Sequence, residues 1–197
     1  MAKVKLTKNE LKRQKDMLKR FQRYLPTLVL KKQQLQMVIR QVEAEEAAKA
    51  GEQTSLLDDL ARWIAVFGDN QCLEDLVIIT GIDTSTGNIA GIDIPVFEKI
   101  EFEEVPWNLF HYPLWVDAGV ERLKKLLALD AEVRILQEQK RLIEEELRIT
   151  TQRVNLFEKV KIPEAKENIR MIRIYLGDQQ TAAVVRGKIA KSNLVEV

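Results

Sequence analysis

The strongest constraint in this sequence is a pair of apolar seams that each repeat every 3.5 residues. Ten register positions fall between residues 11 and 42, ten more fall between residues 126 and 157, and in each run only two are polar. Such a repeat keeps one stripe of a helix against a partner helix and winds the two together. The seam residues are Leu11, Leu18, Phe21, Leu25, Leu28, Leu35, Ile39, Val42, Leu129, Val133, Leu136, Ile143, Leu147, Val154 and Phe157.

These seams predict a mainly α-helical fold in which the N- and C-terminal segments form a long antiparallel two-helix coiled coil. A small central head is expected to hold a β-hairpin and short helices. The expected divisions are an N-terminal long helix over 1–67, a head over 68–115 and a C-terminal long helix over 116–197. Apolar stripes also line the cores of ordinary helical bundles, so a bundle is the alternative fold.

Local signals refine the two helices. The spacing of Thr7 and Glu10 predicts a capping box at the start of the first helix, which then runs to about residue 67 or pauses at Gly51. Pro26 predicts a kink inside that helix, because its ring clashes with the preceding turn and it lacks an N–H. Beside Pro163 the apolar register shifts by one residue, which predicts a local distortion of the coiled coil there.

The middle of the chain has the pattern of a β-hairpin. Residues 77–80 and 92–96 are β-branched, partly alternating runs, and residues 83–88 between them have the composition of a turn. Pro95 is more easily accommodated on a sheet edge. The connector that follows carries aromatic rings that either pack the head onto the helices or form a docking site: Trp107, Phe110, Tyr112 and Trp115.

Charge is distributed unevenly although the net charge is only +1. Residues 1–40 hold 12 Lys and Arg against 2 Asp and Glu, whereas residues 41–119 hold 3 against 16. A basic segment of this kind can bind nucleic acid, lie against an acidic protein surface or form the solvated face of a helix.

The sequence offers little catalytic chemistry. Cys72 is the single cysteine and His111 the single histidine, so a metal site or a Cys/His nucleophile pair has little to draw on. The spacing of Gly81 and Gly87 departs from a phosphate-binding loop and fits a hairpin turn better. No catalytic residue, cofactor or metal is expected. Without a long apolar stretch or a signal peptide, and with one cysteine, a cytoplasmic protein is expected.

One run of residues carries a resemblance to a known family. Arg153, Val154, Asn155 and Glu158, followed by Ile162 and Pro163, are similar to a motif of the D subunit of the V-type and A-type ATPases. In that family an Arg-Arg-Val-Asn-Ala-Leu-Glu run typically precedes Ile-Pro. This chain departs from the pattern, and from the usual Gly and uninterrupted helix near the N-terminus, at Gln152, Leu156, Phe157, Tyr24 and Pro26.

The resemblance implies a non-catalytic central rotor shaft that couples ATP hydrolysis or synthesis to proton or sodium-ion transport. It implies three sets of partners, namely the catalytic and non-catalytic head subunits, the small F subunit of the central stalk at the hairpin, and the cap of the membrane rotor ring. The shaft would be cytoplasmic and peripheral to the membrane, without inserting into it. Basic residues expected to face acidic stator loops are Lys12, Arg13, Lys15, Lys19, Arg20 and Arg23.

Two other functions compete with this one. A chaperone of the prefoldin type also places β-hairpins between antiparallel coiled-coil helices, but it would expose apolar helix tips. A nucleic-acid-binding coiled coil is suggested by the basic segment. Its basic residues are interleaved with the seam, however, unlike a basic region that forks across DNA.

Overall fold

The computed structural model describes residues 4–62, 76–103, 112 and 115–195 of the 197-residue chain. The chain divides into two compact units, a terminal unit (Met1–Lys32 with Ile149–Val197) and a middle unit (Gln33–Arg148). The fold is mainly helical, as predicted. Its elements in order are α1 (Lys8–Ala61), β1 (Ile79–Ile89), β2 (Ile92–Phe102), α2 (Val116–Leu156), a π-helical segment (Phe157–Lys161) and α3 (Ile162–Val195).

Helix α1 begins at Lys8, directly after the predicted capping residue Thr7. The Thr7 hydroxyl accepts a hydrogen bond from the Glu10 backbone N–H at 3.3 Å, which satisfies one donor of the first turn. The helix passes Gly51 without a pause and is followed to Ala61, while the predicted last turn near residue 67 lies outside the described residues. It also stays α-helical through Pro26, and the kink expected there stays a prediction.

The core of the middle unit joins α1, α2 and the hairpin. Leu35, Ile39 and Val42 of α1 pack with Leu136 and Ile143 of α2, and Leu35 and Ile143 are fully buried. Ile94 of β2 enters the same cluster at 2% exposure. Burying a Leu or Ile side chain contributes roughly 1.5–3 kcal/mol, so this cluster anchors the hairpin to the helix pair.

The predicted hairpin is present, but its turn lies elsewhere than expected. Residues 83–88 lie inside β1, so the prediction of a turn there is wrong. The connection is the two-residue loop of Ala90 and Gly91, whose φ angles of 54° and 81° suit the primed turns that match the strand twist. The Asn88 side chain supports this loop by accepting the Gly91 N–H at 3.1 Å.

Pro95 sits in β2 without disturbing the ladder. It lies opposite Thr86, and its carbonyl accepts a hydrogen bond at 2.6 Å from Nε2 of Gln139 on α2. In an antiparallel strand the carbonyl and amide positions of one residue point to the same side. The missing N–H of Pro95 therefore faces the outer edge, as the sequence predicts.

In the terminal unit, the helix distortion predicted near Pro163 is confirmed as one π-helical turn. The Ile162 N–H donates to the Phe157 carbonyl five residues earlier instead of four. Beyond this turn Ile172 is fully buried. Met171, which would be buried if the seam register of α2 continued unchanged, is 42% exposed. The turn thus absorbs one extra residue and returns the apolar stripe to its face.

The last part of α3 has little packing in this unit. The helix continues through Gly177, and from there to Asn193 every side chain is exposed except the half-buried Ala182. Val184 and Ile189 are among the large apolar residues left in water, at 59% and 55% exposure.

Candidate functional site

The predicted seam residues all lie on the packed side of their helices. Seven of the fifteen are buried, eight are half-buried and none is exposed. In the terminal unit the rings of Phe21 and Phe157 meet with their centroids 5.2 Å apart. The seven buried residues are Leu35, Ile39, Val42, Val133, Leu136, Ile143 and Val154.

Beyond Val42, where the apolar seam of α1 is interrupted, polar side chains connect α1 to α2 in the middle unit. Lys140 Nζ lies 3.2 Å from Glu43 and 3.5 Å from Glu46, and Lys49 Nζ lies 3.2 Å from Glu132. As the residue number rises along α1 it falls along α2, so the two helices run antiparallel. We call this set the polar ladder, and it also includes the Gln137–Glu46 and Gln53–Asp130 hydrogen bonds, of 3.1 Å and 3.3 Å.

The polar ladder perturbs the two lysines in the same direction. The hydrogen bond to Glu132 raises the pKa of Lys49, and the hydrogen bond to Glu43 raises the pKa of Lys140. Both ammonium groups therefore stay charged throughout the physiological range. Because these pairs are solvated, each contributes little and is weakened by salt.

The six basic residues predicted to face a partner are all exposed on the first turns of α1. At 100° per residue they fall within an arc of about 160°, centred opposite the apolar seam. Asp16 lies inside the same arc, and Arg13 is 3.8 Å from Glu10. Lys12, Arg13 and Arg20 line a shallow concavity of about 560 Å³ with Asn9, Asp16 and Met17, whereas Lys15, Lys19 and Arg23 lie outside it. We call this surface the basic face.

The hairpin carries its own charged cluster and an apolar groove. Lys99 pairs with Asp83 across the strands at 3.3 Å and with Glu101, and its hydrogen bond to Glu101 raises its pKa. Between the hairpin and the helices lies a groove of about 260 Å³. This hairpin groove is lined by Glu45, Ile89, Ile94, Val96, Phe97, Glu132, Ile135, Leu136 and Gln139.

The motif behind the family resemblance brackets the π-helical segment. Val154 is 6% exposed and Ile162 half-buried, so both pack in the terminal unit. Arg153, Asn155, Glu158 and Pro163 are exposed, with Glu158 in the π-helical segment and Pro163 second in α3. The motif thus combines a packing role with four outward side chains.

Of the aromatic connector, the structure describes two rings. Tyr112 and Trp115 pack beside the cluster of Leu76, Val116 and Val120, which favours a packing role for them. Trp107 and Phe110 lie outside the described residues, as do Cys72 and His111. Within residues 4–62, 76–103 and 115–195, no three His, Cys, Asp or Glu side chains come together as metal ligands. None of the helices in those ranges has a stretch long and apolar enough to span a bilayer.

The sequence pattern alone did not predict the polar ladder or the hairpin groove. The ladder continues the seam register with polar residues, at Glu46, Lys49 and Gln53 of α1 and at Lys140 of α2, and this helical spacing could have indicated it. Gln139 gave no signal, since its partner is a backbone carbonyl 44 residues away.

Comparisons with known proteins agree with the resemblance. A family model described as that of the ATP synthase D subunit matches residues 10–192. The V-type ATP synthase D subunit of Borreliella burgdorferi is 53% identical over 196 residues, covering 100% of this chain and 97% of that protein. The proteins of the same name from Chlamydia pneumoniae and Chlamydia muridarum are 31% and 32% identical, over 97% and 98% of this chain and 93% and 97% of theirs. The chain therefore belongs to the family of ATP synthase D subunits.

Proposed function

We propose that this protein is the non-catalytic central rotor shaft of a V-type ATP synthase. The observation that carries the proposal is the family match over residues 10–192, joined to two seams in which none of the fifteen residues is exposed. A rotor must transmit torque, and paired helices locked along a seam resist bending and twisting better than a single helix. The shaft would couple ATP turnover in the catalytic head to proton or sodium-ion transport through the membrane ring.

The terminal unit is the part proposed to turn inside the catalytic head. Its basic face gives a partner many weak, screened contacts, which hold a rotating surface without trapping it in one position. The exposed end of α3 adds apolar side chains, among them Val184 and Ile189. Together they would meet acidic loops and an apolar collar formed by the catalytic and non-catalytic subunits.

The middle unit is the part proposed to bind the rest of the stalk. Its hairpin would dock the small F subunit of the central stalk, and the shaft would also meet the cap of the membrane rotor ring. The shaft would thus be cytoplasmic and peripheral, held at the membrane through its partners. Neither ATP chemistry nor ion binding is assigned to this chain.

The first experiment asks whether the chain belongs to such a complex. An affinity-tagged full-length chain is purified from native membranes under mild detergent, and the recovered subunits are quantified. Recovery of the catalytic head subunits in fixed stoichiometry is expected. Their absence from a chain that is folded by circular dichroism would overturn the proposal.

The second experiment tests coupling through the basic face. Reversing the charge of Arg20 and Arg23 to Glu should slow ATP-driven ion transport several-fold while leaving the melting temperature unchanged, because both side chains are exposed. The matched control reverses Arg40 and Arg148, two exposed arginines outside the basic face. Equal transport by both double variants would contradict the role given to the basic face.

A further inference from the structure

The hairpin groove has the size of a side-chain pocket. Its volume of about 260 Å³ lies below the roughly 300–1,000 Å³ typical of small-molecule sites. Its walls are mostly aliphatic and aromatic, from Ile94, Val96 and Phe97 on the hairpin and Ile135 and Leu136 on α2. Such a cleft suits one long side chain of a partner better than a free metabolite.

Two carboxylates give the groove its charge. The Glu132 carboxylate forms an ion pair with Lys49 Nζ at 3.2 Å. Glu45, in contrast, is exposed and makes no ion pair with the described part of the chain. The polar atom at the floor is also committed, because Gln139 Nε2 donates to the Pro95 carbonyl. A ligand therefore finds apolar walls and one available carboxylate at the rim.

An arginine or lysine side chain is complementary to both features, the apolar walls and the carboxylate at the rim. Both side chains lay an aliphatic stem on apolar surface while the charged end reaches a polar group, and the Phe97 ring adds a favourable face for a cation. The described parts of α1 and the hairpin in this unit favour the same sign, since residues 41–62 and 76–103 hold 11 acidic against 3 basic side chains. Such a field also steers a basic partner towards the site.

We propose that the hairpin groove binds an arginine or lysine side chain from another subunit, inserted beside Phe97 with its charge at Glu45. The inference rests on the proposed function, because it places that subunit in the same assembly. It names the recognition chemistry at this surface, namely one basic side chain on a short segment that covers the apolar walls. A second copy of this chain, whose own N-terminal segment is basic, is the competing occupant.

A photo-cross-linker in the groove tests the proposal. The benzophenone amino acid p-benzoylphenylalanine replaces Val96, which is 36% exposed, and the tagged chain is irradiated within the complex purified from membranes. The expected product joins position 96 to another subunit within two residues of an Arg or Lys. Cross-links to a second copy of this chain, or to a segment without a basic residue, would overturn the proposal.

Charge reversal supplies the matched control. Glu45→Lys should reduce the cross-link yield at least fivefold, whereas Glu144→Lys, an exposed change on α2 outside the groove, should leave it within twofold. Equal yields in the two variants would sink the idea. Recovery of head subunits with the unmodified chain is scored separately, so failure of the rotor proposal is distinguishable from failure at the groove.

A measurement without the probe covers the case in which the Val96 derivative folds poorly. The complex is washed at rising NaCl concentration, and the subunit that cross-links or neighbours the hairpin is quantified in the eluate. Glu45→Lys should release it at a lower salt concentration than Glu144→Lys does. Release at the same concentration would count against a basic side chain in the groove.

Discussion

The ammonium group of Lys140 lies between two carboxylates of α1, 3.2 Å from Glu43 and 3.5 Å from Glu46. Lys140 occupies a seam position of α2 that a coiled coil ordinarily gives to an apolar residue. A lysine is tolerated there because its aliphatic stem packs while its charge reaches the facing helix. The cross-helix contact at this level is therefore electrostatic, and it should respond to charge and salt.

Replacing Lys140 with Glu should lower the free energy of unfolding at low salt, because three carboxylates then lie close to one another. Denaturant unfolding at about 20 mM and about 500 mM NaCl is the measurement, and the loss should shrink at the higher salt. Arg148→Glu is the control, since that exposed side chain lies outside the polar ladder. A loss of equal size at both salt concentrations would show that packing, not charge, is affected.

The pH dependence of the Lys140 contact follows from the direction of its pKa shift. Because Glu43 raises the pKa of Lys140 above 10.5, the stabilisation is fully present below that pH and lost as pH rises through the folded-state value. The difference in unfolding free energy between the native protein and Lys140→Met should be flat from about pH 6 to 9 and shrink above about pH 10.5. Paired denaturant titrations measure it, and a step near neutrality would refute this assignment.

The π-helical turn and Pro163 should depend on each other. Deleting Val160, which is 48% exposed, closes the turn to a regular α-helix and keeps Ile169 and Ile172 on the packed face. The proline would then clash with the carbonyl four residues before it, so this deletion alone should cost about 3 kcal/mol. Combined with Pro163→Ala, it should come within about 1 kcal/mol of the native protein, as measured by thermal unfolding.

A deletion elsewhere in the same pair of helices is the control for that result. Removing the exposed Glu145 rotates every later seam residue by about 100° and turns Val154 out of its packed position. We expect a loss of several kcal/mol, since each displaced buried side chain costs roughly 1–3 kcal/mol. If the Val160 deletion with Pro163→Ala were equally damaging, the π-helical turn would not be the place where the register takes up its extra residue.

Glycine-to-alanine substitutions in the hairpin loop and in α1 should change the free energy of unfolding in opposite directions. Gly91→Ala should lower the unfolding free energy by about 1–2 kcal/mol, because a Cβ is disfavoured at a φ of 81°. Gly51→Ala should raise it by roughly 0.5–1 kcal/mol, since Gly51 lies in α1 and a Cβ added there would have no neighbour within 4 Å. Thermal unfolding of the two variants checks both, and equal signs would contradict the assigned backbone conformations.

Helix pairing was the most predictable part of this fold. Leu35, Ile143 and Ile172 are fully buried where a simple count along the sequence puts them, and the register shift at Pro163 marks the π-helical turn. These features are local, because the spacing of apolar residues along one helix already fixes which face must be covered.

The hairpin loop and the surface features were harder to predict. Residues 83–88 have turn composition, yet they pair with β2 because Ala90 and Gly91 supply a tighter connection. The contact of Gln139 with Pro95, and the groove beside it, exist only once the hairpin lies on α2. Composition carries no record of such long-range partners.

The extra residue of the π-helical turn has a consequence for how sequences of this family align. A relative without a proline at the position of Pro163 has no need of a widened turn, and it can close the helix with one residue fewer. We therefore expect a one-residue gap between the positions of Phe157 and Lys161 to appear together with loss of that proline. The extra residue and the proline would then be gained or lost together in evolution.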